Sequence, residues 1–319
     1  MTPIRSLVES ALLSAMGAAL FLASNFIPVA GAFLTLLCPA PLVILGLRHS
    51  PRNAVLGMVV ASLVSFLFLG LQGGLFFFLG FGILGVGLGM LARTRERAVE
   101  ILFYGIIVSL VSKLALVAVM VKLTGVNPFS FGDQAQIEAM LDKVFDFYAR
   151  HGMGSAAMEE TKRQLLAAFG QLPDLFPALI TMASAVDSYL SYSVSRWVAG
   201  KVSMAELPPL PAFSQWRFPR SVLWAFLLSV VVSMVAGPKG QGVFHQASLN
   251  LRILIQMLFF IQGLAVAWFF MLRRGLSRGV RYLLAALLVL MPLLSGLTVM
   301  AGLLDLWWDF RGRFGGEDR

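Results

Sequence analysis

The chain has 319 residues, 58% of them hydrophobic and 13% charged, with a formal net charge of +9. An ordinary soluble domain is about 25% charged, and apolar stretches of about 20 residues, each long enough to cross a hydrocarbon core of about 30 Å, recur from end to end, so the composition excludes a soluble protein and points to an all-α polytopic transmembrane bundle. A membrane β-barrel would need short alternating segments, the single cysteine Cys38 excludes an internal disulfide or a cysteine metal cluster, and the positive charge fits arginine-rich loops facing anionic lipid better than it fits nucleic acid.

Nine spans are predicted, with eight as the alternative. They run Leu7 to Ile27, Ala32 to Leu47, Ala54 to Gly70, Leu75 to Leu91, Val99 to Val121, Phe176 to Val198, Ser221 to Ala236, Leu251 to Leu272 and Tyr282 to Leu304. The first lacks a small-residue cleavage site followed by a soluble domain and reads as a retained span. Arg5, Arg48, Arg52, Arg93, Arg95, Arg97, Arg196, Lys201, Arg217 and Arg220 fall on one side of this threading, together with Arg273, Arg274, Arg278 and Arg281. By the positive-inside rule that side, with the N-terminus, is cytoplasmic. Trp307 and Trp308 followed by Arg311 and Arg313 also suit a cytoplasmic interface, which is the argument for eight spans.

In chain order, the first span carries a small-residue ridge, Ala11, Ala15 and Ala19 at i+4, flanked by Ser10, Ser14 and Ala18. It serves either internal packing or docking of another membrane subunit. Pro39 and Pro41 break the second span and free carbonyls that can line a site in transporters. "GFGILG", Gly80 to Gly85, matches a dinucleotide fingerprint but lies inside a span with no preceding strand. Gly85 with Gly89, and Gly70 with Gly74, instead form small faces for helix packing.

The outer loop, 122–175, is acidic on balance and contains an amphipathic hairpin. Ile137, Met140, Leu141, Val144, Phe145 and Tyr148 share one apolar face, with Asp133 as N-cap and Gly152 as stop. A second helix is expected from Ala156 to Phe169, ending at Gly170. Residues 201–220 form a Pro/Trp-rich cytoplasmic connector in which Pro208, Pro209, Pro211 and Pro219 forbid a regular helix. Trp216 and Arg217 sit at the interface and are candidate partner-docking residues. The expected organisation is a six-helix unit over 1–200, the connector, a three-helix unit over 221–305 and a polar tail over 306–319.

No catalytic signature is present. His49, His151 and His245 are far apart and placed in loops, and there is no metalloprotease motif, phosphate-binding loop or nucleophile elbow. No enzyme activity, metal or cofactor is expected. The informative residues are ionisable groups inside spans, each costly unless paired or hydrated. Lys113 in span five and Asp187 in span six lie at similar depth, within about 12–15 Å of the outer surface at about 1.5 Å per residue. An ion pair between them is expected, either fixing helix register or lining an outward cavity. Tyr189, Tyr192 and Gln72 complete the candidate substrate site. In span eight, Gln256 and Gln262 are expected to make interhelical hydrogen bonds, and Arg252 to snorkel.

Four segments in order and spacing, "CPAPLVILGLRHSPRNAVLG", "FSQWRFPRSVLW", "NLRILIQMLFFIQGLA" and "GLLDLWWDFRGR", resemble the YybS-like family of predicted bacterial membrane proteins, a domain of unknown function. The resemblance covers nearly the whole chain and implies a bacterial cytoplasmic-membrane protein. More distantly, the first six spans resemble the S component of energy-coupling-factor vitamin transporters. That resemblance implies a docking ridge at Ala11, Ala15 and Ala19 for a transmembrane coupling subunit, separate ATPases and an outward ligand site. S components lack a three-span extension and an insertion as long as 122–175. The expected role is small-molecule binding or uptake with partner subunits. The alternative is a membrane scaffold or assembly factor without transport activity.

Overall fold

In a computed structural model, residues 3–27, 30–125, 134–148, 156–202, 206–236 and 242–314 are described. Every regular element among them is helical: α1 (Pro3–Phe26), α2 (Ala30–Leu37), α3 (Pro39–Arg48), α4 (Pro51–Leu75), a π-helical segment (Phe76–Gly82), α5 (Ile83–Thr94), α6 (Ala98–Thr124), α7 (Gln134–Tyr148), α8 (Ala156–Val202), a 3₁₀ turn (Phe213–Gln215), α9 (Ser221–Ala236), α10 (Val243–Arg273), α11 (Arg278–Leu290), α12 (Pro292–Trp308) and α13 (Phe310–Phe314). Four helical runs are long and apolar enough to cross a membrane, or up to six if each of two bent pairs is one span. Two compact units result: residues 1–173 with 179–210, and residues 174–178 with 211–319.

In the first unit, small residues set the closest contacts. A Cβ on Gly89 would lie 2.2 Å from the Val43 carbonyl, and one on Gly85 would lie 2.7 Å from Leu42 Cβ. The Gly85–Gly89 face therefore packs α5 against α3, as its spacing implies. The dinucleotide-like string lies wholly in the π segment and α5. At the expected proline break, α2 ends at Leu37 but Cys38 keeps helical dihedrals (φ −53°, ψ −41°), so the interruption is one residue long.

Gly70 behaves differently from its partner in the expected Gly70–Gly74 packing face. It adopts φ 71°, ψ −172° within α4, and a Cβ there would meet nothing within 4 Å. That backbone region is nearly closed to residues with a Cβ. Beyond it the chain doubles back: a Cβ on Gly74 would sit 2.7 Å from Phe66 Cβ, and one on Gly82 would sit 2.7 Å from Met58 Cγ. Residues 58 and 82 would be about 36 Å apart in a straight helix. The continuous helical run Pro51–Thr94 is thus a tight antiparallel hairpin.

α1 presents two contrasting small-residue lines. Ser10, Ser14 and Ala18 are buried, and a Cβ on Gly57 would come within 2.4 Å of Ser14 Oγ. Ala11, Ala15 and Ala19 are exposed, beside exposed Leu12 and Met16. The internal-packing role therefore belongs to the serine line, and the alanine ridge faces away from its own unit.

The expected outer hairpin is partly described. α7 covers the amphipathic stretch, while Asp133 and Gly152 lie outside the described residues. The second helix does not stop at Gly170. It bends by 42° between Ala167 and Phe169 and continues to Val202.

In the second unit, α10 and α12 touch backbone to backbone. A Cβ on Gly302 would be 1.9 Å from the Phe259 carbonyl, and one on Gly263 would be 1.8 Å from the Thr298 carbonyl. The expected ninth span is not one continuous helix: α11 and α12 meet at 99°. Pro292 has no N–H, and it confines Met291 to extended dihedrals (φ −92°, ψ 117°), which no helix can pass through. Phe226 and Phe259 pack edge to face in the small core between α9 and α10.

Residues 174–178 belong to this unit for a definite reason. Asn250 of α10 accepts from the Ala178 N–H at 2.7 Å and donates to the Asp174 carbonyl at 2.7 Å. Those two groups would otherwise bond to each other in the helical ladder. The Pro177 ring, by clashing with the Pro173 carbonyl, opens the ladder at that point, and one amide side chain fills the gap.

Candidate functional site

The first unit brings Lys113 of α6 and Asp187 of α8 together as an ion pair. Lys113 Nζ also donates to Ser109 Oγ at 2.7 Å, and Ser109 Oγ donates to Asp187 Oδ2 at 3.1 Å. Ser191 Oγ donates to Asp187 Oδ1 at 3.4 Å. Lysine, serine and carboxylate form a closed cluster, yet the Lys113 and Asp187 side chains remain 23% and 27% exposed. The cluster is neither sealed nor free, so a ligand carrying charge could compete for either half.

A buried serine seam frames the pair, with Ser109 and Ser112 on α6 and Ser184, Ser188, Ser191 and Ser195 on α8. The α8 serines recur at 4, 3 and 4 residues, which holds them on one helix face. α6 and α8 approach closely at Gly105, where a Cβ would lie 2.5 Å from Ser188 Oγ. Ser112 Oγ bonds the Leu79 carbonyl in the π segment. A π turn shifts the carbonyls out of α register, and the adjacent α6 serine meets one of them. The spacing of the serines in "SAVDSYLSYSVS" is the sequence signal of this seam.

Among the other predicted site residues, Tyr192 has a different partner. Tyr192 is fully buried, and its hydroxyl donates to the Pro208 carbonyl at 2.6 Å, so it anchors the proline-rich connector. Tyr189 is exposed and lies about 200° around the helix from Asp187. Gln72 is exposed two residues beyond the Gly70 reversal. Trp216 donates through Nε1 to the Pro211 carbonyl at 3.1 Å and packs on Phe213, while Arg217 pairs with Asp309 at 3.2 Å. Both interfacial candidates are thus engaged within their own unit.

A second polar network, unforeseen from the sequence, lies in the second unit. Asp305 and Arg311 are each 2% exposed and pair at 2.8 Å. Gln262 donates to Asp305 at 2.6 Å and accepts from the Phe218 N–H at 3.1 Å. Arg311 also donates to the carbonyls of Ser214 and Trp216. Asp309 adopts left-handed dihedrals (φ 45°, ψ 61°), turning the chain so that Arg311 returns to Asp305. The stretch read as a polar tail is therefore built into the unit as far as residue 314.

His49 is 3% exposed at the end of α3, not a solvated loop residue, and His245 lies in the first turn of α10; His151 is outside the described residues. Ser6 Oγ bonds His49 Nδ1 at 2.9 Å, and Glu9 bridges to Arg48 at 2.9 Å and faces His49 Nε2 at 3.7 Å. Burial pushes the imidazole below its ordinary pKa, Glu9 opposes that shift, and Arg48 and Arg93 add to it. Among the described residues, no group of three or more His, Cys, Asp or Glu could hold a metal ion.

The family model described as "Predicted membrane protein (DUF2232)" matches residues 15–306. The chain belongs to this family. It is also 24% identical over 315 residues to "Uncharacterized protein YybS" of Bacillus subtilis (strain 168), covering 98% of this chain and 99% of that protein. No solved structure matches. The DUF2232 match and this end-to-end similarity bear out the YybS-like resemblance and the reading of an integral, multi-pass helical membrane protein.

Proposed function

We propose that this DUF2232 chain binds a small molecule at the Lys113–Asp187 cluster and serves its uptake as one subunit of a larger assembly. The observation that carries this reading is an intramembrane ion pair kept about a quarter open rather than sealed. Ionisable groups at such depth are costly unless paired or hydrated, and those that a chain retains mark a ligand or proton path or hold helices in register. The paired ammonium and carboxylate suit a ligand with complementary charge. Of the candidate residues, Tyr189 and Tyr192 follow Asp187 closely in sequence, and Gln72 adds an exposed polar group just beyond the Gly70 reversal.

Six crossings in the first unit fit this role: α1, α2 with α3, the two arms around Gly70, α6 and α8. The two-armed hairpin supports counting Pro51–Thr94 twice, which brings the count toward the expected eight or nine. The arginine distribution supports a cytoplasmic N-terminus in a bacterial inner membrane. The exposed line Ala11, Ala15 and Ala19 offers a flat surface for a transmembrane coupling subunit, as in S components, and ATPases would come from separate chains. The same exposed ridge favours the second reading, a scaffold or assembly factor.

Isolation of the full chain from its native membrane in mild detergent separates the two. A coupling subunit and ATPases that co-purify, and are lost when Ala15 is changed to Leu, support uptake. Morphogenesis or secretion proteins in their place would overturn it.

A further inference from the structure

The 99° bend at Pro292 carries α11 away from α12 and leaves a cavity of about 420 Å³ against α10, open on one side. It falls in the size range of small-molecule sites, roughly 300–1,000 Å³. Gly263, Ala267 and Phe270 of α10, Leu288 of α11, and Thr298 and Ala301 of α12 form its walls. The Thr298 hydroxyl, its one polar side-chain group, already donates to the Leu294 carbonyl at 2.8 Å. The cavity therefore offers only carbon surface to an occupant.

Beside it lies a cationic stretch of sequence. From Gly263 to Leu304 the sequence has four arginines, Arg273, Arg274, Arg278 and Arg281, and no aspartate or glutamate. The nearest carboxylates in sequence are committed, Asp305 to Arg311 and Asp309 to Arg217. Arg281 lies over the Trp268 ring at 5.5 Å, and its Nε is buried without a hydrogen-bond partner among the described residues. Arg278 opens α11, whose N-terminal dipole adds to the positive field. Phe270 precedes Arg273 by less than one helical turn, and Leu288 follows Arg281 by two turns, about 10 Å. Apolar cavity and arginine turn thus lie within the reach of one amphipathic molecule.

We propose that the second unit holds one anionic membrane phospholipid, with an acyl chain in the α10–α12 cavity and its phosphate on Arg278 and Arg281. The bilayer supplies hydrocarbon directly to an open-sided cavity, and the guanidinium forks match phosphate oxygens. The site is independent of the Lys113–Asp187 cluster.

The test uses the full chain in vesicles of phosphatidylcholine containing a trace of photoactivatable lipid, with a diazirine midway along one acyl chain and either a phosphatidylglycerol or a phosphatidylcholine head. Peptide mapping should place the phosphatidylglycerol label on α10 or α12 at least fivefold above the phosphatidylcholine label. Changing Arg278→Gln and Arg281→Gln together should bring the two labels level. Ala301→Phe, and separately Ala267→Leu, should remove the label from α10 and α12 by filling the cavity, and size-exclusion profiles verify that at least one filled variant is folded. Equal labelling by both lipids overturns the proposal. So does cavity labelling that survives in the folded filled variant, or phosphatidylglycerol label confined to residues 273–281, which would mean recruitment by surface charge alone.

Discussion

The Asn250 insertion into α8 makes a sharp energetic prediction. Asn250→Ala removes the partners of the Asp174 carbonyl and the Ala178 N–H. Ala178 is fully buried and Asn250 is 8% exposed, so water does not readily replace the amide at the Ala178 N–H. Asp174 is exposed, and water can take over its carbonyl. The orphaned Ala178 N–H alone sets the cost of Asn250→Ala, about 1–3 kcal/mol. The third contact, to the Gln246 carbonyl, adds little because the α10 ladder already uses that acceptor. If Pro177 is what opens the ladder, Pro177→Ala lets Ala178 N–H bond the Asp174 carbonyl directly. In that background Asn250→Ala should cost at least ~1 kcal/mol less, within the range of coupling for groups in contact. Unfolding of the four proteins by sodium dodecyl sulfate in mixed micelles measures the cycle. Equal cost of Asn250→Ala with and without Pro177, to within about 0.5 kcal/mol, would refute the account.

Three further outcomes are expected. Lys113→Met should destabilise the first unit more than Lys113→Met combined with Asp187→Leu, because the single change strands a carboxylate; the difference in the same titration should be about 1–3 kcal/mol, below the full buried-pair range since both groups are partly open. Gly70→Ala should cost about 1–3 kcal/mol from backbone strain at φ 71°, whereas Gly170→Ala, helical with open space around it, should stabilise by roughly 0.5–1 kcal/mol. For His49, the folded state lowers the pKa, so the unfolded chain binds the extra proton: stability should be flat above pH ~6.5 and fall as pH drops from there toward the folded-state value. Thermal melts of wild type and His49→Gln across pH 5–8 check this, with the acid-side slope reduced in the variant.

Apolar segments, the Gly85–Gly89 contact, the Lys113–Asp187 pair and the interhelical role of Gln262 were legible in the sequence because each follows from period, depth or the cost of polarity in lipid. The outward face of Ala11, Ala15 and Ala19 was open because two adjacent small-residue lines share α1, and only the position of Gly57 shows which one is buried. The partner of Tyr192 was not legible from its proximity to Asp187 along the chain. Tyr192 points to the connector because its helix angle differs from that of Asp187, a distinction that counting depth alone ignores. The Asp305–Arg311 network was hidden by a left-handed Asp309, since no local preference announces that the chain will turn back there. Asn250 is a polar residue whose partner is a gap in another helix, which appears only when Pro177 and α10 are placed together.

The Arg311 network also has a consequence in time. Arg311 is made 97 residues after Ser214, whose carbonyl it holds. At about 5–20 residues per second, synthesis of that interval takes roughly 5–20 s. Throughout it the proline-tryptophan segment lacks its guanidinium donor, and Asp305, once made, waits for its cation. A partner that binds this segment during synthesis meets an open strap, whereas one arriving later must displace a finished clasp. Order of manufacture thus gives nascent-chain factors a brief advantage over proteins that encounter the mature molecule.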